Sequence, residues 1–245
     1  MTTLFVSDVH LDAERPSATA AFLRFLADDA ARAATLFVLG DLFEAWVGDD
    51  DDAALANEVC DAFRTLSGRG TRVAFMHGNR DFLLGAAFAA RAGIELLPER
   101  HVEDIEGTRT LLLHGDTLCT GDTAYLAFRT QVRATAWQEA FLSQPLAARR
   151  AFAAQARAQS MAHTRNAPEA LMDVAQDAVL AVLQEAGVRR LVHGHVHRPA
   201  IHTFDAGDGA SERFVLGDWY DQGSVLAIDP ERVALSAVRV EQAHR

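Results

Sequence analysis

Five short motifs each place a potential metal ligand at the point where a predicted strand ends. The motifs are Asp8-Val9-His10, Gly40-Asp41, Gly78-Asn79-Arg80-Asp81, His114-Gly115-Asp116 and Gly194-His195-Val196-His197. Four of them follow an apolar run of three or four residues, and the last follows the shorter run Leu191-Val192. Apolar runs rich in β-branched and aromatic residues, closed by glycine or a polar residue, are typical of buried strands. The motifs therefore predict a sheet-based fold with a site at its strand ends.

The side chains at these strand ends are those that divalent transition metals bind: imidazoles, carboxylates and one amide. The predicted ligands are Asp8, His10, Asp41, Asn79, His114, His195 and His197. Side chains at i and i+2 of a regular strand point to the same face, so Asp8 and His10 could reach one ion. Asp41 is placed to bridge two ions. The second ion would be completed by Asn79, His114 and His195, and His197 would return to the first.

Taken singly, these motifs are weak indications of a metal site. An Asp-x-His triplet occurs by chance, and Gly-Asp after an apolar strand is common turn chemistry. The His-x-His pair formed by His195 and His197 is a stronger indication. The ordered set of five predicts a dinuclear centre, in which two ions ~3.5–4 Å apart clamp the oxygens of a phosphate ester. We therefore predict a dinuclear phosphoesterase.

The composition limits the classes of protein to which the chain can belong. Its 245 residues suit one α/β domain with an insertion. A formal net charge of −11 argues against a general nucleic-acid binder, which would need a basic face. No apolar stretch approaches the ~18 residues of a membrane-spanning helix, and no signal peptide precedes the first predicted strand. Cys60 and Cys119 form no CxxC pair, so we expect a cytoplasmic protein.

Strands and helices alternate in the first half of the chain. Strands are predicted at 3–6, 36–39, 72–76 and 94–97, helices at 18–33, 53–67 and 82–92, and a hairpin at 100–105 and 109–113. Strands return at 200–204, 213–216, 224–228 and 233–239. Between these two groups of predicted strands, the sequence of residues 122–186 predicts helices alone. We interpret this block as a helical cap inserted into a core formed by residues 1–121 and 187–245.

Arginines dominate the charge of the predicted cap. Between residues 123 and 166 the only acid is Glu139, and the basic residues are Arg129, Arg133, Arg149, Arg150, Arg157 and Arg165. This excess indicates contact with something anionic, but it also suits a solvated helix surface in an arginine-rich chain. The acidic run Asp49–Asp52 is interpreted as a solvated turn that enters a helix rather than as a metal loop, since acids favour helix N-termini.

The order of the five motifs resembles that of the calcineurin-like metallophosphoesterase superfamily. The resemblance extends from Asp8 to His197. It implies an α/β fold, a β-sandwich flanked by helices, with a dinuclear Mn²⁺ centre in the loops at one end. Most of the superfamily has histidine after the asparagine of the third motif, where this chain has Arg80. A guanidinium stays charged and offers bidentate donors to a phosphoryl group, which suits a diphosphate.

Arg80, the inserted cap and a closing Gly217-Asp218-Trp219 resemble one family within this superfamily, which cleaves the diphosphate of UDP-2,3-diacylglucosamine in lipid A biosynthesis. The resemblance implies that water activated by two Mn²⁺ ions attacks the α-phosphorus and releases UMP and 2,3-diacylglucosamine 1-phosphate. It assigns catalysis to Asp41, Asn79, Arg80 and His114. It also implies a peripheral location on the cytoplasmic face of a Gram-negative inner membrane, with no obligate protein partner.

The same resemblance implies contacts between the chain and this glycolipid. The implied substrate-binding residues are Asn79, Arg80, Asp122, Ser160, Thr164, Arg165 and His195. The chain departs from the family in the cap, where Thr164 and Ala167 stand at positions usually held by Asn and Lys. Thr164 keeps a hydrogen-bonding group, whereas Ala167 removes a cation for which Arg165 is the nearest replacement. The departure concerns the cap contacts and leaves the metal ligands unchanged.

Two other functions are compatible with the motifs. Another hydrolase of the superfamily would act on soluble nucleotides, although Arg80 and the basic cap argue against it. A non-catalytic scaffold would bind a partner through the metal face, but such proteins typically lose ligands, whereas all seven positions here carry competent side chains. The apolar cap residues allow two interpretations, bundle core or a groove for acyl chains; they are Tyr125, Phe128, Val132, Trp137, Phe141 and Leu142.

Overall fold

The computed structural model describes residues 1–166, 173–207 and 209–240, and over 163–166 the backbone alone. Its strands, in chain order, are β1 (Thr3–Val6), β2 (Thr35–Leu39), β3 (Arg72–Met76), β4 (Glu95–Leu96), β5 (His101–Ile105), β6 (Thr108–Leu112), β7 (Arg190–His193), β8 (Ala200–Asp205), β9 (Ala210–Val215), β10 (Gln222–Ile228) and β11 (Val233–Arg239). Its α-helices are α1 (Pro16–Asp28), α2 (Ala54–Gly68), α3 (Ala86–Ala92), α4 (Thr123–Arg133), α5 (Thr135–Leu142), α6 (Leu146–Asn166) and α7 (Gln176–Ala186).

The described strands form two sheets. The first has six strands in the order β11-β10-β1-β2-β3-β4, and the second has five in the order β5-β6-β7-β9-β8. Strands β1, β2 and β3 run parallel, as do β6, β7 and β9. Carboxyl ends of parallel strands meet at one edge of a sheet, so the loops that follow β1, β2 and β3 lie side by side.

Strand β1 shows why its sequence is apolar at successive positions. Leu4 and Val6 belong to a core cluster that includes Phe22 of α1 and Phe63 of α2. Phe5 points the other way, into a second cluster that includes residues of both sheets. A strand buried on both faces reads as a continuous apolar run rather than an alternating one. The predicted α/β sandwich flanked by helices is confirmed.

Helix α7 lies within the segment that we predicted to be a cap. Three of its residues, Val179, Val182 and Leu183, belong to the same core cluster as Leu111 of β6 and Leu191 of β7. The cap boundary at residues 122–186 remains a prediction, and α7 contributes to the inter-sheet core. Among the described residues, no helix has both the length and the apolar character needed to cross a bilayer.

The acidic run accounts for one difference between the predicted and observed helices. Helix α3 begins at Ala86 instead of residue 82, because the half-buried Asp49 accepts hydrogen bonds from the backbone N–H groups of Gly85 (2.8 Å) and Phe88 (2.9 Å). A carboxylate that accepts the free amides of a first turn stabilises that end of the helix. The prediction of a solvated turn is therefore wrong for Asp49, which caps a helix from a distant loop.

Candidate metal centre

The seven predicted ligands lie in the loops that directly follow β1, β2, β3, β6 and β7. Five of them have left-handed backbone conformations: Asp8 (φ 54°), His10 (51°), Asp41 (53°), His195 (69°) and His197 (55°). Among the described non-glycine residues, only Glu106 shares this property. Left-handed conformations are uncommon outside glycine and cluster at functional sites. The expectation that strand alternation aligns Asp8 with His10 is therefore wrong, because both residues lie beyond the strand.

Two glycines of the motifs allow these loops to approach each other. A Cβ on Gly78 would lie 2.1 Å from Oδ1 and 2.3 Å from the backbone nitrogen of Asp41. A Cβ on Gly194 would lie 2.2 Å from Oδ2 of Asp8. Such distances are closer than van der Waals contact permits, so any larger residue would displace a predicted ligand. This packing explains why glycine precedes Asn79 in the third motif and His195 in the fifth.

The first group of potential ligands combines Asp8, His10 and His197. The two imidazoles face each other with 3.2 Å between their Nε2 atoms. Oδ1 of Asp8 lies 3.3 Å from Nε2 of His197 and 3.9 Å from Nε2 of His10. This oxygen is buried and has no hydrogen-bond partner. An unpaired buried carboxylate oxygen beside two converging imidazole nitrogens fits a divalent cation.

The second group combines Asp8, Asp41 and His114. Nε2 of His114 lies 3.8 Å from Oδ1 of Asp41, and Oδ2 of the same aspartate lies 3.8 Å from Nε2 of His10. Asn79 completes the second group, since its Oδ1 lies 2.9 Å from Nε2 of His114 and 3.0 Å from Nδ1 of His195. The structure thus brings all seven predicted ligands together, with Asp8 in both groups and Asp41 near both. The residues fit two metal ions.

Carboxylates and carbonyls hold several of these side chains in place. Nδ1 of His114 is 2.8 Å from the carbonyl oxygen of Leu39, and Nδ1 of His197 is 3.1 Å from Oδ2 of Asp218. Such partners fix the tautomer and the ring orientation of a ligating histidine. Asp81 accepts from the backbone N–H groups of Gly78 (2.8 Å) and Leu42 (2.7 Å). Asp81 therefore holds together the loops that follow β2 and β3.

Before a metal binds, the imidazoles of the site differ in protonation. Burial lowers the pKa of His197, but Asp8 and then Asp218 outweigh burial and raise that pKa to about 10. Burial, with His114 beside it, lowers the pKa of His195 to about 4. For Asp8, burial opposes ionisation, whereas His197 and the other imidazoles hold the carboxyl pKa below its usual range. At neutral pH His197 is therefore protonated and His195 is neutral.

Metal binding is expected to release a proton at pH 7.5. An imidazole must lose its proton before it can ligate, so the His197 proton has to leave, and metal affinity should rise with pH as long as this proton is present. Calorimetric titration with Mn²⁺ in two buffers of different ionisation enthalpy should show release of about one proton or more per chain. An identical heat in both buffers would contradict the assignment of His197 as a ligand.

Four residues of the predicted cap were expected from the resemblance to contact the substrate, and the structure describes the side chains of two of them, Ser160 and Asp122. Nη2 of Arg80 lies 3.3 Å from Oγ of Ser160 on α6. Asp122 accepts from the backbone N–H of Tyr125 (2.9 Å) and so caps α4. The side chains of Thr164 and Arg165 lie outside the described residues, as does Ala167. Arg80 therefore links the third motif to the cap.

The cap arginines fasten the cap to acidic loops. The contacts join Arg129 to Asp116 and Glu99, Arg133 to Glu99, Arg149 to Asp50, Arg150 to Asp51 and Asp52, and Arg157 to Glu44. Arg149 is 2% exposed and also donates to the carbonyl of Val47. The solvated surface therefore describes Arg150, whose side chain is 47% exposed, whereas the other four arginines are partly or fully buried in these contacts. The side chain of Arg165 lies outside the described part of the chain.

Three residues that contact the predicted ligands were not predicted to do so. Glu44 contacts His10, and Tyr220 stacks on the His10 ring with centroids 5.3 Å apart. The Tyr125 ring stacks on His195 at 6.0 Å while its hydroxyl donates to Asp116 (2.5 Å). The one available signal was the position of Glu44, a lone acid between apolar neighbours in Leu42-Phe43-Glu44-Ala45-Trp46. A buried acid in such a run needs a partner.

The apolar cap residues divide between the two interpretations. Val132 and Phe141 are buried, whereas Phe128 and Leu142 are 42% and 41% exposed. Phe141 stacks on Trp137 with ring centroids 4.8 Å apart. The first pair fits a packed interior, and Phe141 belongs to the core cluster that also contains Phe22 and Phe63. The exposed pair leaves apolar surface on the predicted cap.

Comparison with known proteins agrees with this geometry. The calcineurin-like phosphoesterase family matches residues 1–199, which contain all five motifs. The chain belongs to the calcineurin-like phosphoesterase family. The resemblance drawn from the order of the motifs is thereby confirmed.

Similar curated proteins are named UDP-2,3-diacylglucosamine hydrolase. One from Xanthomonas campestris pv. campestris is 52% identical over 244 residues, which covers 96% of this chain and 98% of the relative. Another, from Cellvibrio japonicus, is 51% identical with the same coverage. The fold also resembles that of an archaeal phosphodiesterase, with a TM-score of 0.50, 11% identity and coverage of 97% of this chain and 100% of that one. The relatives therefore confirm the narrower resemblance carried by Arg80, the cap and Gly217-Asp218-Trp219.

Proposed function

We propose that the chain hydrolyses the diphosphate of UDP-2,3-diacylglucosamine and releases UMP and 2,3-diacylglucosamine 1-phosphate. The observation that carries this proposal is that two ligand groups share Asp8, next to the third motif, whose Arg80 contacts Ser160 of the predicted cap. The curated relatives, more than half identical over almost the whole chain, act by name on this glycolipid. They favour it over the soluble nucleotides of the alternative hypothesis.

We assign the seven ligands to two divalent ions, with Asp41 as the bridging carboxylate. When bound, the ions supply Lewis-acid activation of water and neutralise charge on the phosphoryl oxygens. Asp41 is 2% exposed. Its Oδ1 also accepts a hydrogen bond from the backbone N–H of Arg80 (2.8 Å), so Asp41 helps to order the third motif. Nε2 of His114 lies 2.9 Å from Oδ1 of Asn79, so the amide oxygen of Asn79 faces the centre. We propose Mn²⁺ as the native metal, which suits mixed imidazole and carboxylate ligands.

Arg80 is proposed to bind the diphosphate. Its Nε is buried without a hydrogen-bond partner, which leaves a donor for a phosphoryl oxygen. A guanidinium stabilises charge that develops on phosphate oxygens but is a poor general acid. A diphosphate needs little protonation of its leaving group, since phosphate leaves as a stable anion. His195, Asp122, Ser160, Thr164 and Arg165 remain the proposed contacts to the rest of the substrate.

We further propose that exposed apolar residues of the cap receive the acyl chains and carry the enzyme to the cytoplasmic face of the inner membrane. Phe128, Leu142, Phe152 and Met161 are 39% to 42% exposed. Exposed apolar groups of this kind suit a membrane-bound glycolipid better than a soluble nucleotide. Co-sedimentation with vesicles that contain the substrate should therefore exceed sedimentation with plain anionic vesicles. Equal retention on both would count against this role of the apolar surface.

Release of UMP from UDP-2,3-diacylglucosamine tests the proposal. The purified chain should release UMP with Mn²⁺ and none after dialysis against a chelator, and added Mn²⁺ should restore the rate more fully than Mg²⁺ or Zn²⁺. Arg100→Ala removes an exposed surface ion pair with Glu185 and serves as the matched control. Absence of UMP release, with Mn²⁺-dependent cleavage of a soluble diester retained, would reject the substrate and keep the hydrolase.

A further inference from the structure

Glu44 is a buried acid where the core meets the cap. It is 9% exposed and lies in the loop that follows β2. Its Oε2 lies 3.3 Å from Nδ1 of His10 and 3.1 Å from Nη2 of Arg15. Its Oε1 contacts Nε of Arg157. A buried carboxylate persists only where cations and hydrogen-bond donors compensate its desolvation, and these three side chains provide that compensation.

The two ring nitrogens of His10 face different partners. Nδ1 faces Glu44, whereas Nε2 faces Asp8 (3.9 Å), Asp41 (3.8 Å) and His197 (3.2 Å). A carboxylate beside one nitrogen of a ligating histidine favours the tautomer whose other nitrogen is free to bind the ion. Glu44 therefore has the geometry of a positioning residue for His10.

The position of Arg157 distinguishes Glu44 from Asp218, the carboxylate that faces His197. Arg157 belongs to α6 of the cap, whereas Asp218, which faces His197, belongs to the core. Two further cap arginines, Arg149 and Arg150, pair with the acidic run at residues 50–52 instead. The contact through Glu44 thus joins the cap to a predicted metal ligand through a single side chain.

We propose that Glu44 couples the docking of the cap to the geometry of the metal centre. Arg157 holds Glu44, and Glu44 orients His10, so that displacement of α6 loosens one ligand of the first ion. This inference rests on the dinuclear centre of the proposed function. It makes the cap part of the metal site as well as a cover for the substrate.

Binding of Mn²⁺ to the full-length chain tests this coupling without turnover. Calorimetric titration and the electron paramagnetic resonance signal of free Mn²⁺ would be measured for the parent, Glu44→Gln, Arg157→Ala and the double variant. Glu44→Gln should weaken one of the two ions by ~10–100-fold and leave the other unchanged. Arg157→Ala should weaken the same ion by ~3–10-fold, and the double variant should bind no more weakly than Glu44→Gln, since coupled residues are not additive.

Two variants serve as matched controls. Arg150→Ala removes an ion pair of the cap that contacts Asp51 and Asp52, and it should leave both affinities at the parental values. Asp218→Asn should weaken the same ion, but its effect should add to that of Arg157→Ala. Thermal unfolding in chelator checks that each variant folds, and if Glu44→Gln does not fold, the comparison of Arg157→Ala with Arg150→Ala decides.

Parental affinity for both ions in Arg157→Ala, or additive effects of the Glu44 and Arg157 substitutions, would overturn the coupling. A parent chain that binds fewer than two Mn²⁺ ions would instead remove the dinuclear centre on which the proposed function rests. The two failures are therefore distinguishable in the same titration.

Discussion

Replacement of Asp41 by alanine is expected to lower kcat/KM for UDP-2,3-diacylglucosamine by about 10³-fold or more. The carboxylate lies 3.8 Å from the Nε2 atoms of both His10 and His114, so it can hold both ions at a fixed separation. Transition-state charge stabilisation by metal ions is worth several kcal/mol, and each ~1.4 kcal/mol is tenfold in rate. UMP release at saturating Mn²⁺ measures the loss, and titration with Mn²⁺ counts the ions.

The control for Asp41→Ala must separate the loss of a carboxylate that bridges the two ions from a loss of order in the surrounding loops. Asp81→Asn removes a carboxylate that accepts from Gly78 and Leu42 but is not a predicted ligand. This variant is expected to retain two Mn²⁺ ions, whereas Asp41→Ala should lose at least one. A folded Asp41→Ala protein that retains two ions and an activity within tenfold of the parent would contradict the bridging role.

Arg80→Ala is expected to lower kcat by about 10²–10³-fold, the range found when one preorganised donor to developing charge is removed. The variant should retain its Mn²⁺ affinity, because the backbone N–H of Arg80, rather than its side chain, contacts Asp41. Arg80→Lys keeps the charge but loses the bidentate fork, so it should recover only part of the rate. Steady-state kinetics of UMP release for the three proteins measure the effect.

Ser160→Ala tests whether Arg80 matters only because it holds the cap. Nη2 of Arg80 lies 3.3 Å from the hydroxyl of Ser160. If the guanidinium acted solely through this contact, Ser160→Ala would reproduce the loss of kcat. We expect Ser160→Ala to raise KM while kcat falls by less than tenfold. An equal loss of kcat in both variants would contradict a direct role of Arg80 in the reaction.

The strand ends could be predicted because their signal is local. β1, β3 and β11 begin and end where the sequence predicted. For β1 and β3 the reason is a compact, largely buried apolar run. Parallel strands in register then bring the residues after β1, β2 and β3 to one edge. Four of the seven predicted ligands meet there for this reason, and the other three come from the loops after β6 and β7 of the second sheet.

The backbone conformations at the site could not be predicted from strand periodicity. Asp8 and His10 converge because each turns into the left-handed region, and the adjacent loops stabilise these turns: the backbone N–H of Asp8 donates to Gly40 and that of His10 to Asp41. Both acceptor carbonyls lie in the loop that follows β2, the strand next to β1. Strain of this kind persists only where surrounding structure compensates for it.

The sequence by itself determined the positions of most strands, the order of the motifs and the family. The tertiary structure alone decided which acids hold the cap. Arg149 pairs with Asp50, 99 residues away, and Glu44 joins His10 to Arg157. The physical reason is that hydrophobic periodicity depends on residues close together in the sequence. A buried charge is instead stabilised by an opposite charge that the folded backbone brings within a few ångströms, whatever their separation in the sequence.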